Sequence, residues 1–169
     1  IARRGMIDPF IVMDVMREAN QLSENTKIVH LEVGQPSTPA PAKVIEAAKK
    51  LLDKDRLGYT DSLGLLQLRK RISKYYGEFY GVSVPLERMV ITTGSSGAFL
   101  LAFASAFDPG DRVALTVPGY PAYRNILIAL GIEPVIIETS VKERFQPTIK
   151  LLEDVGNIDG LIIASPSNP

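Results

Sequence analysis

One apolar segment, broken once by glycine and serine, constrains the fold of this chain more than any other stretch. Residues 89–93 are rich in β-branched side chains, which is typical of a buried strand. Gly94-Ser95-Ser96-Gly97 interrupts that run. The Ala- and Leu-rich residues 98–107 then predict a helix that is apolar on nearly every face. The sequence therefore predicts a strand, a short turn and a helix in that order.

Such a turn is suited to binding an anion such as phosphate. The first turn of a helix has backbone N–H groups without intrahelical partners, and the helix dipole is positive at that end. Glycine lets the backbone approach an anion closely, and Ser95 and Ser96 add hydroxyl donors. The same residues also suit a simple N-terminal cap on a core helix. The glycine patterns of the P-loop and of dinucleotide-binding folds are both absent, so the residues alone leave the two readings open.

Beyond this segment, strands and helices alternate along the chain. Such alternation predicts a mostly parallel sheet covered by helices on both faces, which is a three-layer α/β/α fold. In such sheets, ligands bind beyond the carboxyl ends of the strands. The loops at residues 94–97, 118–123 and 165–169 each follow a predicted strand, so we expect them to converge on one edge of the sheet. The later predicted strands are residues 112–117, 135–138 and 161–164, and residues 147–155 are predicted to be helical.

The beginning of the chain predicts an arm followed by a short strand. Residues 3–20 are mildly amphipathic, with a helix start near Asp8. Residues 27–33 alternate enough to predict a strand. His30 is the only histidine, and the sequence gives it no evident acidic or nucleophilic partner, so we interpret it as structural.

Two amphipathic helices are predicted before the central segment, over residues 41–52 and 65–80. The second of them carries a group of basic residues that we interpret as its solvated face. They are Arg69, Lys70, Arg71 and Lys74.

Composition excludes several classes of protein. The apolar fraction of 46% and the charged fraction of 22% are those of an ordinary globular protein. A formal net charge of zero gives no indication of a nucleic-acid or membrane partner. The absence of cysteine excludes disulfides and thiolate metal sites, and no metal site is predicted. No signal peptide or apolar run of membrane length is recognisable, so the default expectation is a cytoplasmic protein.

Six motifs in order give this sequence its most specific signal. Together they resemble the class I/II aminotransferases, which are pyridoxal-phosphate enzymes of the aspartate-aminotransferase fold (fold type I). The motifs are Gly34-Gln35-Pro36, residues 59–64 with Leu68-Arg69, residues 93–98, Asp108-Pro109-Gly110-Asp111, residues 118–123 and residues 165–169.

The resemblance implies a binding role for five residues around pyridoxal 5'-phosphate. Ser95 and Ser96, in the turn that begins at Gly94, would hold the phosphate through their N–H groups and the Ser96 hydroxyl. Tyr120 would stack on the pyridine ring, and Asn168 would donate a hydrogen bond to the ring's phenolate oxygen.

Two further roles are implied outside the central segment. Tyr59 would reach the cofactor phosphate of a neighbouring subunit, which implies a homodimer with shared active sites. Gly34 would contact the substrate's α-carboxylate through its backbone. Ser37 and Thr38 follow where the family often has an acidic and an aromatic residue, so the preference for a substrate side chain stays open.

The lysine that would form the Schiff base with the cofactor is expected after Pro169, so no catalytic residue is assigned within this chain. We therefore expect residues 1–40 to be an N-terminal arm with part of a small domain, and residues 41–169 to be the first part of a large cofactor-binding domain. The implied activity is transfer of an amino group between an L-amino acid and a 2-oxo acid. The alternatives are a β-lyase or related enzyme on the same scaffold, an aminotransferase-like sensor domain of a transcription regulator, and a phosphate-binding module without pyridoxal chemistry.

Overall fold

The structure, a computed structural model, describes residues 2–23, 26–55 and 57–168. Its chain forms two compact units. The first, called the sheet unit below, comprises Ile1–Glu32 and Gly94–Pro169. The second, called the helical unit, is Val33–Thr93. The predicted division at residue 40 concerns domains of a longer enzyme and stays a prediction.

The sheet unit contains a parallel sheet, as the alternation of strands and helices predicted. Its strands are β1 (Arg112–Val117), β2 (Glu133–Glu138) and β3 (Gly160–Ile162). They lie in the order β2-β1-β3, with β1 hydrogen-bonded to a parallel neighbour on each side. After β1 the chain therefore crosses to β2 on one side of β1, and it later returns to form β3 on the other side. This places a reversal of strand order at the carboxyl end of β1, where ligands of such sheets bind.

Helices cover both faces of this sheet. Helices α4 (Gly94–Ala106) and α5 (Pro121–Leu130) pack on one face, and α6 (Ile149–Asp154) packs on the other. Side chains of β1 alternate between the two faces, as the period of a strand requires. One core consists of Phe103, Val113, Leu115, Leu127 and Ile132, and the other consists of Ala114, Val135 and Ile137. The predicted three-layer α/β/α fold is confirmed.

An N-terminal arm precedes these layers. A single 3₁₀ turn, Arg3–Met6, lies against α5, and α1 (Ile11–Leu22) follows it. The helix thus begins three residues after the predicted start at Asp8. Among the described residues, no helix is both long and apolar enough to span a bilayer, and no group of acidic or histidine side chains is arranged to hold a metal ion.

The helical unit contains the two predicted amphipathic helices, α2 (Ala42–Leu52) and α3 (Leu66–Tyr80), each starting one residue later than predicted. A 3₁₀ turn, Leu86–Arg88, leads into residues 89–93. Helix α3 ends at Gly81, whose φ of +68° lies in the left-handed region that glycine adopts readily.

Two predicted strands are wrong. Residues 89–93 and 27–33 belong to no strand in the structure. A β-branched run favours an extended backbone, but a strand also needs a hydrogen-bonded neighbour. The N–H of Ile91 donates instead to the carbonyl of Leu63, which lies in a loop. Val29 and Leu31 are 73% and 87% exposed, so the second segment lacks the burial that its alternation predicted.

The boundaries of four other elements differ from the prediction, and one of them is β2, which begins at Glu133, two residues before the predicted start. Helix α4 begins at Gly94, so the Gly/Ser residues form its first turn and do not precede it. Helix α6 is confined to Ile149–Asp154, and it begins after Thr148, which caps it by accepting a hydrogen bond from the N–H of Leu151. Strand β3 ends at Ile162, two residues before the predicted end.

Candidate functional site

The turn that was predicted to bind an anion is the first turn of α4. Gly94 has a φ of +81°, a conformation that strongly favours glycine at this position. Ser95 and Ser96 follow it and are both exposed. An α-helix has no internal acceptors for the N–H groups of its first turn, and this helix is 13 residues long. The site is therefore suited to an anion.

A second group of residues lies at the carboxyl ends of β1 and β3. Gly119 and Tyr120, after β1, line a small cleft together with Ala164 and Ser167, which follow β3. Two of the three loops expected at this edge thus meet there. Asn168 is the residue after Ser167 and is exposed. Pro169, the last residue of the predicted motif, lies outside the described residues.

The loop after β1 folds tightly against its own strand. A Cβ atom added to Gly119 would lie 2.7 Å from the carbonyl oxygen of Thr116, so a side chain at this position would force the loop away. The peptide bonds Val117–Pro118 and Ser165–Pro166, one in each loop, are both cis. The close approach of Gly119 to Thr116 places the next residue, Tyr120, beside the end of β1.

Aromatic contacts connect Tyr120 to α4. The ring of Tyr120 meets the edge of Tyr123 at a centroid distance of 5.5 Å, and Tyr123 meets Phe99 at 4.8 Å. Phe99 lies one helical turn after Ser95 on α4. Through Tyr123 and Phe99, these edge-to-face contacts link the Tyr120 ring to α4.

A larger cleft, about 550 Å³ in volume, lies beside Tyr120 and between the N-terminal arm and the β1–α5 segment. Phe10 of the arm meets the Tyr120 ring at 6.1 Å, nearly at right angles. Arg124, which is exposed, and Asp8 are the two charged residues at the cleft. Most of its lining is apolar: Pro9, Phe10, Ile11, Val12, Leu115, Val117, Gly119, Tyr120 and Pro121.

Sequence reasoning missed this cleft. It described residues 3–20 only as an amphipathic arm, and it gave Arg124 no role. A usable signal was present, because Arg124 directly follows the motif that contains Tyr120 and Tyr123.

The remaining predicted site residues, Gly34 and Tyr59, lie in the helical unit. Gly34 is in an exposed loop after Val33, whose carbonyl accepts a hydrogen bond from the N–H of Gln35. Tyr59 is fully exposed. Within the described part of the chain its hydroxyl has no hydrogen-bond partner, and the roles assigned to both residues stay predictions.

His30 has an acidic partner that the sequence analysis did not give it. Its Nδ1 lies 2.7 Å from a carboxylate oxygen of Glu32, which is only two residues along the chain. This hydrogen bond is the main cause of a lowered pKa at Glu32. The premise that His30 lacks an acidic partner was therefore wrong, whereas its structural role stays a prediction.

Comparison with known proteins gives a consistent set of relatives. Residues 26–169 match the family model described as aminotransferase class I and II. A valine–pyruvate aminotransferase of Mycobacterium tuberculosis is 46% identical over 171 residues, covering 100% of this chain and 44% of the relative. A (5-formylfuran-3-yl)methyl phosphate transaminase of Methanocaldococcus jannaschii is 36% identical, covering 96% of this chain and 42% of the relative.

Solved structures agree with the sequence matches. A crystal structure of an aminotransferase from Mycobacterium tuberculosis superposes with a TM-score of 0.94 at 46% identity. It covers 100% of this chain, which in turn covers 44% of that structure. The chain thus spans less than half the length of the relatives that it matches.

Proposed function

The chain belongs to the class I and II aminotransferase family, and on this premise we propose that it forms the N-terminal part of an enzyme that transfers an amino group from an L-amino acid to a 2-oxo acid with pyridoxal 5'-phosphate. One observation carries the proposal. The anion-binding turn of α4 and the ring of Tyr120 are joined through Tyr123 and Phe99 at the carboxyl edge of a parallel sheet.

The residues present fit a phosphorylated aromatic cofactor. Ser95 and Ser96 would hold its phosphate through their N–H groups and the Ser96 hydroxyl, with the positive end of the α4 dipole behind them. Tyr120, partly buried against the cleft, would cover one face of the cofactor ring and limit its tilt. Asn168 would donate a hydrogen bond to the phenolate oxygen of that ring and stabilise its negative charge.

When bound, the cofactor supplies an electron sink that stabilises negative charge at the substrate's α-carbon. This chain's own part is to bind and orient. Gly34 would hold the substrate's α-carboxylate through its backbone, and Tyr59, fully exposed, would donate to the phosphate held by a second subunit of a homodimer. The Schiff-base lysine would come from the part of the enzyme that this chain does not include.

The cleft beside Tyr120 favours an aliphatic amino donor. Its lining is mostly apolar, and burying an aliphatic side chain there would remove about 25 cal/mol of unfavourable free energy per Å² of apolar surface. The Mycobacterium tuberculosis relative is named for valine and pyruvate, which agrees with this choice.

The test uses the full-length protein loaded with pyridoxal 5'-phosphate. We expect an aliphatic L-amino acid to remove the visible absorbance of the bound cofactor, and pyruvate or 2-oxoglutarate to restore it while a new amino acid forms. Aspartate serves as the comparison donor and should react more slowly. Bound cofactor that responds to no donor would refute the proposal, and release of ammonia without a new amino acid would indicate a lyase.

A further inference from the structure

Arg69 is buried, which contradicts its interpretation as part of a solvated face. Its side chain lies on α3, and the residue is only 7% exposed, whereas Lys70 and Arg71 beside it are exposed. Among the described residues it is the one charged residue that is buried. The helical period alone did not reveal this, because the groups that cover Arg69 come from two loops outside the helix.

The guanidinium group is held by backbone carbonyls. Its Nε donates to the carbonyl of Gly64 at 3.3 Å, and its Nη1 donates to the carbonyl of Leu86 at 3.2 Å. No carboxylate in the described part of the chain pairs with it. A buried cation is costly unless it is hydrogen-bonded, so these two contacts hold α3, the Gly64 loop and the Leu86–Arg88 turn together.

The Gly64 loop is also fixed from its other side. The Ile91 N–H donates to the carbonyl of Leu63 at 3.0 Å, and the Gly64 N–H donates to the carbonyl of Asp61 at 2.8 Å. Gly64 has a φ of +93°, and a Cβ atom there would lie 2.5 Å from the Cβ of Ile91. The loop that begins near Tyr59 therefore ends at Gly64, where any side chain would collide with Ile91.

We propose that Arg69 is a positioning residue for the cofactor phosphate, acting through Tyr59. It ties the Tyr59 loop to α3 and to the Leu86–Arg88 turn, so it fixes the backbone from which the Tyr59 side chain extends. An arginine is suited to this task because its planar fork presents two donors in fixed directions to two separate carbonyls. The inference rests on the proposed function, since it presupposes that Tyr59 contacts a bound phosphate.

The test is a double-mutant cycle in the full-length enzyme. The dissociation constant of pyridoxal 5'-phosphate is measured for Arg69→Met in the wild-type background and in the Tyr59→Phe background, and thermal unfolding is recorded alongside. We expect Arg69→Met to weaken cofactor binding about tenfold with Tyr59 present, and less than about threefold in the Tyr59→Phe background. Arg71→Met is the matched control, because Arg71 is exposed on the same helix and lies 3.8 Å from Glu78, and it should leave binding unchanged.

Arg69→Lys is the second variant, to be used if Arg69→Met fails to fold. It keeps the positive charge, but an ammonium group cannot present two donors in fixed directions as the planar guanidinium does. We expect it to weaken binding by an intermediate factor that again depends on Tyr59. Equal weakening in both backgrounds, or no weakening in either Arg69 variant, would overturn the inference. A Tyr59→Phe variant that binds cofactor normally would overturn it too while leaving the aminotransferase proposal intact, whereas a wild-type enzyme that binds no cofactor would overturn both.

Discussion

Different interactions stabilise the interior of each of the two units. Among the described residues of the sheet unit, every buried residue is apolar, and Val113 and Leu127 are completely buried between the sheet and its helices. In the described residues of the helical unit only Met89 and Arg69 are buried, and Arg69 is fixed by two carbonyls. One unit therefore depends on apolar area, and the other depends on directional hydrogen bonds and backbone conformation.

This difference determines how each unit should respond to substitution. Apolar burial is non-directional, so its loss lowers the free energy of unfolding without redirecting a loop. Hydrogen bonds are directional, so their loss moves the groups that they orient. We expect substitutions in the apolar cores of the sheet unit to act mainly on stability and those around Tyr59 to act mainly on cofactor binding.

The largest expected effect is at the centre of the sheet unit. Leu127→Ala in the full-length protein should lower the free energy of unfolding by about 2–5 kcal/mol, because it leaves a cavity at a side chain that has no solvent exposure. Denaturant unfolding measures this change. Leu51→Ala is the control, since Leu51 is 57% exposed on α2, and its cost should stay below about 1 kcal/mol. Equal costs would mean that the contrast between the two units is absent in the assembled protein.

The second-largest effect is expected in the helical unit, on cofactor binding by Tyr59. Tyr59→Phe should loosen the cofactor about tenfold or more, because a hydrogen bond to a charged group contributes on the order of 1.5–3 kcal/mol. The unfolding midpoint of the protein without cofactor should hardly change, since Tyr59 is fully exposed. Cofactor titration monitored by absorbance gives the affinity. A fall in stability without a fall in affinity would reverse the expected contrast.

The same variant can show whether Tyr59 acts across a subunit interface. Two inactive full-length variants are mixed, one with Tyr59→Phe and one lacking the Schiff-base lysine. If Tyr59 serves the neighbouring site, the heterodimer places both defects in one site and leaves the other intact. Recovery of activity towards half that of the wild-type dimer is expected, and no recovery despite proven subunit exchange would show that Tyr59 serves its own chain.

Local sequence patterns predicted the sheet unit well. β1 was predicted with both of its ends correct, because its apolar residues lie between a Pro-Gly turn and a Pro-Gly loop. The alternation of strands and helices also gave the parallel sheet and its helical layers. Such signals lie within a few residues of the element that they predict, so no knowledge of distant neighbours was needed.

Features that depend on distant neighbours were not predicted. The segment at residues 89–93 reads as a strand, but its hydrogen bond to Leu63 links it to a loop. The burial of Arg69 depends on Leu86, which is 17 residues away. The cleft beside Tyr120 needs Phe10, which is more than 100 residues earlier in the chain. In the candidate site, the motifs identified residues at the carboxyl edge of the sheet. They could not show the cleft beside Tyr120, because that cleft forms between segments that are distant in sequence.

A smaller effect than that of Tyr59 is expected at Tyr120, the site residue held by the sheet unit. Tyr120→Ala should weaken cofactor binding by about 1–3 kcal/mol through lost ring contact. Tyr120→Phe is the matched control and should keep most of the affinity, because it retains the ring that meets Tyr123 at 5.5 Å. Cofactor titration of both variants separates the contribution of the aromatic ring from that of the hydroxyl group. Equal losses in the two variants would assign the role to the hydroxyl and would refute stacking.

The smallest expected effect is a pH dependence in the sheet unit, at a turn where polar side chains contact one another. After β2, the Ser140 hydroxyl and N–H both donate to Glu143, at 2.6 and 3.0 Å, and Ser140 accepts from the N–H of Lys142. The hydrogen bond from the Ser140 hydroxyl is the main cause of a lowered pKa at Glu143, whose usual value is 4.5. Because the folded pKa is lowered, this stabilisation is fully present above pH 4.5 and is lost as the pH falls through the folded value.

Glu143→Gln should therefore be less stable than the wild type at neutral pH, and the difference in unfolding midpoint should shrink as the pH falls below 4.5. The amide of glutamine can still accept a hydrogen bond but does not titrate there, so only the charge-dependent part is lost. Glu153→Gln is the control, since Glu153 is exposed on α6 and makes no side-chain hydrogen bond within the described part of the chain. A difference at Glu143 that is independent of pH would show that the contact stabilises the turn without its charge. The charge of the Glu143 carboxylate would then not contribute to the stability of the sheet unit. The contrast between the two units would rest on apolar burial in the sheet unit and on the hydrogen bonds of Arg69 in the helical unit.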